Sequence, residues 1–240
     1  MCCSIVMINF IGCRNYKKEN REALEYLNNK YGEEFELKGN LMREGNTKFH
    51  LSPIKATKAW PKEKTDNIFT IKLDSDVEFT DDYEDILRQS QAHEYFIDMV
   101  GSYLNNSEVY VKLSAGFRNE KFKGDNISDF LMFSGVFSNV YIFLQYDAGF
   151  DIDEESQQIY KLYKEFVDRN LQGQINIMYV SKDILKNEKI NDELWKNLNG
   201  DKSYIKECSI DYSKRYPEMS NKITIEAIKR KLEGSNMEDN

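Results

Sequence analysis

Residues Met1 to Cys13, MCCSIVMINFIGC, leave this chain few options. The run is apolar from Ile5 to Ile11, closes on Gly12 and Cys13, and gives way at once to polar, charged sequence from Arg14 to Asn20. A bilayer-spanning helix needs roughly 20 apolar residues, so this core is too short to cross a membrane, but it fits the apolar region of a secretory signal. It also fits a first β-strand, Ser4 to Ile11, buried in the body of the domain. Short continuous apolar runs carry no periodicity that separates these readings. The segment is thus either an export signal or part of a core.

Phe10-Ile11-Gly12-Cys13 resembles the lipobox of bacterial lipoproteins. The resemblance implies that residues 1–13 form a signal-peptide-like segment and that the chain is cut just before Cys13. It also implies that acyl chains such as palmitate on the Cys13 thiol hold the mature protein on the extracytoplasmic face of the cell membrane. No Lys or Arg precedes Cys13, where a signal peptide ordinarily opens with positive charge. A start codon upstream of Met1 would account for that.

At 240 residues the chain is long enough for one large domain or two small ones. A composition 40% hydrophobic and 13% aromatic is globular rather than disordered. The formal charge of −8 argues against nonspecific binding to nucleic acid or to anionic lipid head groups, both of which need a basic surface. Membrane attachment is therefore expected through the lipid. No later segment approaches the length of a transmembrane helix. Removing the signal takes Cys2 and Cys3 with it and leaves Cys208 and an acylated Cys13, so no disulfide framework is expected. The spacing matches no zinc pattern either, and no cofactor is expected.

Charge alternating with Ala23, Leu24 and Leu27 predicts an amphipathic helix from Lys17 to about Tyr31, stopped at Gly32. A strand, Glu33 to Leu37, follows. The helix followed by Lys30-Tyr-Gly-Glu-Glu-Phe-Glu36 resembles the opening of uncharacterised lipoproteins and secreted proteins of Gram-positive bacteria, over Glu19 to Ser114. That resemblance supplies no catalytic residues.

Short strands are predicted at Thr47 to Leu51, Ala56 to Trp60 and Asn67 to Leu73, as an antiparallel meander. Asp81 to Leu104 is a long helix with a broad apolar stripe through Ala92, Phe96 and Val100. Glu108 to Leu113 alternates as a strand. Polar Ala115 to Ser128 is the expected boundary between an N-terminal α+β half, 14–114, and a C-terminal α+β half, 129–232. In the second half, Val140 to Leu144 and Ile175 to Val180 are strands around a helix at Asp151 to Leu171, a β-α-β unit. A helix at Lys182 to Leu198, a strand at Ser203 to Ile210 and a helix at Asn221 to Leu232 follow, and 233–240 is read as a mobile tail. Helix-then-strand recurs at Tyr95 to Ser114 and Tyr160 to Ser181, which points to duplicated halves.

The run Asp74 to Asp85 has the acidity of a calcium loop but not its pattern, with Phe79 where an EF-hand needs glycine. It reads as a strand end and a helix start, with Thr80 as cap and the acids favoured by the helix dipole. Asp147 to Glu155 reads the same way. His93-Glu94 lacks the second histidine of a zincin, since residue 97 is Ile, and His50 stands alone. Phe133-Ser134-Gly135 lacks the first glycine of a nucleophile elbow. Tyr83, Tyr95, Tyr103, Tyr110, Tyr141 and Tyr146 sit at helical and strand spacing and are expected in or beside the core. Cys208 is expected as a small buried hydrophobe.

The fold expected is α+β, in two layers, with helices packed on mainly antiparallel sheet and two related halves. The function expected is a non-enzymatic, lipid-anchored binding protein for an unidentified protein or small ligand. One alternative is a cytosolic, acidic, immunity-type interaction protein with Ser4 to Ile11 as a buried strand. A second is a hydrolase using His93 with the acids at Asp81 to Asp85.

Overall fold

A computed structural model of the protein describes residues 4–43, 54–74, 78–133, 135–146, 149–187, 190–201, 204–212 and 223–234. The chain forms two units: Met1–Leu87 with Ala115–Lys123, and Arg88–Ser114 with Gly124–Asn240.

The first unit opens with α1 (Ser4–Tyr31), which ends where Gly32 takes φ 74° and its N–H caps the Asn28 carbonyl. Its strands are β1 (Phe35–Leu37), β2 (Met42–Arg43), β3 (Lys55–Pro61), β4 (Phe69–Leu73) and β5 (Phe79–Asp81). β3 is the hub: β1, β2 and β4 all pair with it antiparallel, and β5 pairs with β4. In β4, Phe69, Ile71 and Leu73 are buried while Thr70 and Lys72 are not, the period-two pattern of a sheet with one covered face. Ala23 and Leu27, one helical turn apart on α1, meet that face together with Phe35, Leu41, Ala59 and Tyr83. Each large side chain so buried contributes about 1.5–3 kcal/mol.

The second unit takes α2 (Tyr83–Gly101) from Arg88 onward, then β6 (Ser107–Ser114), α3 (Ile127–Met132), β7 (Phe137–Gln145) and α4 (Ile152–Asp168). It continues with β8 (Gly173–Val180), α5 (Lys182–Asn187), α6 (Asp192–Asp201), β9 (Lys206–Asp211) and α7 (Ile225–Leu232). The sheet order is β6-β7-β8-β9. β7 and β8 run parallel across α4, and β6 and β9 flank them antiparallel. Register places Val111 opposite Val140, Val140 opposite Ile175, and Ile175 opposite Ile210, a continuous apolar row. Phe166 of α4 stacks on Phe96 of α2 at 5.4 Å and meets Tyr212 at 4.6 Å. α5 and α6 cover part of the other face, where Leu194 and Leu198 pack on Phe143, Met178 and Val180. Asp151 caps α4 through Asp153 and Glu154 N–H, and Thr224 caps α7.

The α+β class with helices packed on sheet is the observed one. So is the β-α-β unit around α4, whose strands β7 and β8 pair in parallel. Several elements differ from expectation for identifiable reasons. Ser4 to Ile11 is helical, not a strand, because α1 runs unbroken through Cys13, so the buried strand of the cytosolic alternative is corrected. Thr80 lies in β5 rather than capping a helix, and α2 begins later, at Tyr83. The helix expected over Lys182 to Leu198 is two helices, α5 and α6. Apolar Phe130 to Phe137 holds the end of α3 and the first residue of β7. β6 belongs with the second sheet, whereas 115–123 returns to the first unit, so the chain does not divide once within Ala115 to Ser128. Both helix-then-strand pairs, α2-β6 and α4-β8, deliver strands to the same sheet of the second unit. The strand expected at Thr47 to Leu51 and the tail from 235 lie outside the described residues. No described helix is long and apolar enough to cross a membrane.

Candidate functional site

The acidic run of the sequence becomes a set of internal acceptors in the first unit. Asp81, at the end of β5, is buried, and its carboxylate takes an ion pair from Lys30 at 2.8 Å. Tyr31 donates to the same carboxylate at 2.6 Å, Tyr26 at 2.9 Å, and the Tyr83 N–H at 3.1 Å. Lys30 also donates to the Arg118 carbonyl at 2.7 Å, and Asp81 and Arg118 exchange backbone hydrogen bonds. Burial first, and Asp81 second, push the Tyr26 and Tyr31 phenols well above their ordinary range, so both remain donors. Glu84 accepts from the Phe122 N–H with both oxygens, at 2.9 and 3.1 Å, and Asp85 accepts from the Ala115 N–H at 2.7 Å. Asp82 accepts from the Thr70 N–H at 2.6 Å. These bonds stitch 115–123 onto the first unit. An open depression of about 600 Å³ beside them is lined by Tyr26, Lys30, Lys121 and Phe122 among others. Lys30 is already committed to Asp81, so the cage is structural in character.

Burial pushes the Asp85 carboxyl up to about 6, and the Ala115 N–H only partly opposes it. The folded state then holds this proton more tightly than the unfolded chain. Its stabilising contribution is complete below an unfolded value near 3.8 and is lost as pH rises through about 6. Asp85→Asn keeps an acceptor for Ala115 and removes the charge. We expect this variant to exceed wild type by about 2 kcal/mol at pH 7 in urea unfolding. The difference should shrink towards zero by pH 4. An equal gap at both pH values would contradict the assignment.

The second unit carries a deeper feature, a cavity of about 380 Å³. It opens at the carboxyl ends of the parallel strands, where Leu144 and Gln145 close β7 and Tyr179 nears the end of β8. In open, mainly parallel α/β sheets ligands bind in the crevice outside the carboxyl ends of the strands; here the single parallel pair, β7-β8, has that geometry. α4 supplies Glu154, Glu155 and Gln158, and the turn after α2 supplies Tyr103, Asn105 and Asn106. The Asn106 backbone, at φ 56°, is in the left-handed region that asparagine tolerates. Tyr179 donates to Glu155 at 2.7 Å and meets the Phe150 ring edge to face at 4.9 Å. Burial, then Glu155, push the Tyr179 phenol well above its ordinary range. Lys206 lies 5.4 Å from the Phe150 ring centre, its ammonium group donating to the Leu232 carbonyl. The lining therefore offers aromatic faces, primary amides and carboxylates.

Cys13 lies within α1. His93 stands on α2, half-buried, eight residues beyond Asp85 and thus about 12 Å further along the helix axis. His93 and Asp85 are therefore more than two turns apart on the same helix. His50 and Ser134 lie outside the described residues. Among those described, no group of three or more His, Cys, Asp or Glu could hold a metal ion. Tyr83 is fully buried, whereas Tyr95, Tyr103, Tyr110, Tyr141 and Tyr146 are half-buried at the core's edge. Cys208 is buried, as expected, and burial pushes its thiol up to about 12. The cavity was missed because its parts are far apart in sequence; the available signal was a β-α-β unit with polar residues at its strand ends.

No family model matches this chain. No curated protein matches it. Among solved structures, it is similar to the crystal structure of a DUF5037 family protein from Ruminococcus gnavus ATCC 29149. The two share 16% identity over 90% of this chain and 99% of the other, with a TM-score of 0.39.

Proposed function

We propose that this is a non-enzymatic lipoprotein, held on the extracytoplasmic face of the membrane by acyl chains on Cys13, whose body binds a protein or small ligand. The observation that carries the reading is Phe10-Ile11-Gly12-Cys13 at the end of a short apolar run. The contacts of α1 give it room. Glu19 pairs with Lys55, Asn20 bonds Gly39, Asn40 and Leu41, and Ala23, Leu27 and Lys30 follow in the core and the Asp81 cage. A chain cut before Cys13 keeps every one of these. The acidic balance of −8 disfavours adsorption to anionic lipid, which leaves covalent lipid as the means of attachment. A single acyl chain holds only marginally, so more than one is required.

Fatty-acid labelling in the native host, with the gene's own upstream DNA, tests the reading. The wild type should incorporate label and Cys13→Ala should not. Label on neither protein, with the wild type in the cytosolic fraction, would sink the anchor.

A further inference from the structure

We propose that the cavity between α4, the turn after α2 and the strand ends of the second unit binds an amino sugar, or a small hydroxylated amine of the same chemistry. The inference deepens the binding role proposed above and is independent of the anchor. The cavity's volume of about 380 Å³ lies within the range of small-molecule sites, roughly 300–1,000 Å³, and suits a monosaccharide rather than a peptide.

The lining sets the chemistry. Glu154 and Glu155 contribute carboxylates, and Lys, Arg and His are absent from the described lining. An anionic ligand would enter against those charges, while an ammonium group gains from them. Tyr103 and Tyr179 add rings that attract both cations and the C–H faces of sugars. The Phe150 ring is already met by Lys206, whose ammonium group donates to the Leu232 carbonyl, so the ligand's ammonium group is assigned to the α4 side of the cavity. Asn105, Asn106, Gln145 and Gln158 carry planar amides, each able to donate and accept at once, as vicinal hydroxyls require. Asp153, a neighbouring acid, is paired with Lys229; among the described residues, Glu154 and Glu155 are the carboxylates of the lining. Glu155 is held by Tyr179, which fixes its orientation. Glu154, exposed in the first turn of α4, is assigned to the ligand's ammonium group.

The test is calorimetric titration of the full chain with glucosamine near pH 6, where a sugar amine is largely protonated, alongside glucose. Glucosamine should bind saturably and at least tenfold more tightly than glucose. Glu154→Gln should remove that preference, lowering the melting temperature by no more than the loss of one exposed first-turn charge from α4 allows. Gln158→Ala should weaken both sugars. Absence of glucosamine binding, equal binding of the two sugars, or an unaltered preference in Glu154→Gln would each overturn the proposal. None of these outcomes bears on fatty-acid labelling at Cys13, so the anchor stands or falls separately.

Discussion

Asp81→Ala is expected to lower the unfolding free energy of the protein by about 3–5 kcal/mol, the cost of removing one partner from a buried ion pair. The side chains of Lys30 and Asp81 are 5% and 0% exposed, so solvent does little to screen the charge left behind. Among the described residues, Lys30 would keep the Arg118 carbonyl and the Tyr26 hydroxyl as acceptors. Tyr31 would lose its 2.6 Å bond, and the Tyr83 N–H its acceptor. The comparison that isolates the charge is the double variant Lys30→Met with Asp81→Leu. It removes both charges and should lose much less than the sum of the single changes. Urea unfolding of wild type, Lys30→Met, Asp81→Leu and the double variant gives the coupling directly. A loss below about 1 kcal/mol in Asp81→Ala would show that the cage is dispensable.

Gly173→Ala should be equally damaging, through shape rather than charge. A Cβ at Gly173 would lie 1.9 Å from the Ser138 carbonyl oxygen and 2.5 Å from the Tyr212 hydroxyl. Ser138 and Gly173 are register partners at the start of the parallel β7-β8 pair, and Tyr212 donates to the Ser138 carbonyl at 2.8 Å. Backbone cannot step aside as a flexible side chain can, so the first rung of the ladder must break. We expect a loss above about 3 kcal/mol, at the severe end of overpacking. Gly101→Ala is the control, since a Cβ at that helical position meets nothing within 4 Å. It should lie within about 1 kcal/mol of wild type. Similar melting temperatures for the two variants would contradict the tight approach.

The parts of the fold legible in sequence are those whose signals are local. Val109, Val111 and Leu113 alternate because β6 has one covered face, and Asp151 announces α4 because a capped helix start is a local event. The β-α-β unit around α4 followed from a helix of the right length between two apolar runs. β5 was hidden because Phe79-Thr-Asp81 borrows its hydrogen bonds from β4 and from Arg118, a partner 37 residues from Asp81. The return of 115–123 to the first unit was hidden for the same reason: it is held by Glu84 and Asp85, whose acidity alone read as helix-dipole compensation. The cavity was less legible still. Tyr103, Gln145, Glu154 and Tyr179 come from four elements or turns, and nothing local in any of them marks a site.

Mass spectrometry of the N-terminal peptide of the protein isolated from its native host reads the state of Cys13 directly. A chain beginning at Cys13, with acyl groups accounting for the excess mass, is expected. An unmodified N-terminus that retains residues 1–12 would contradict it.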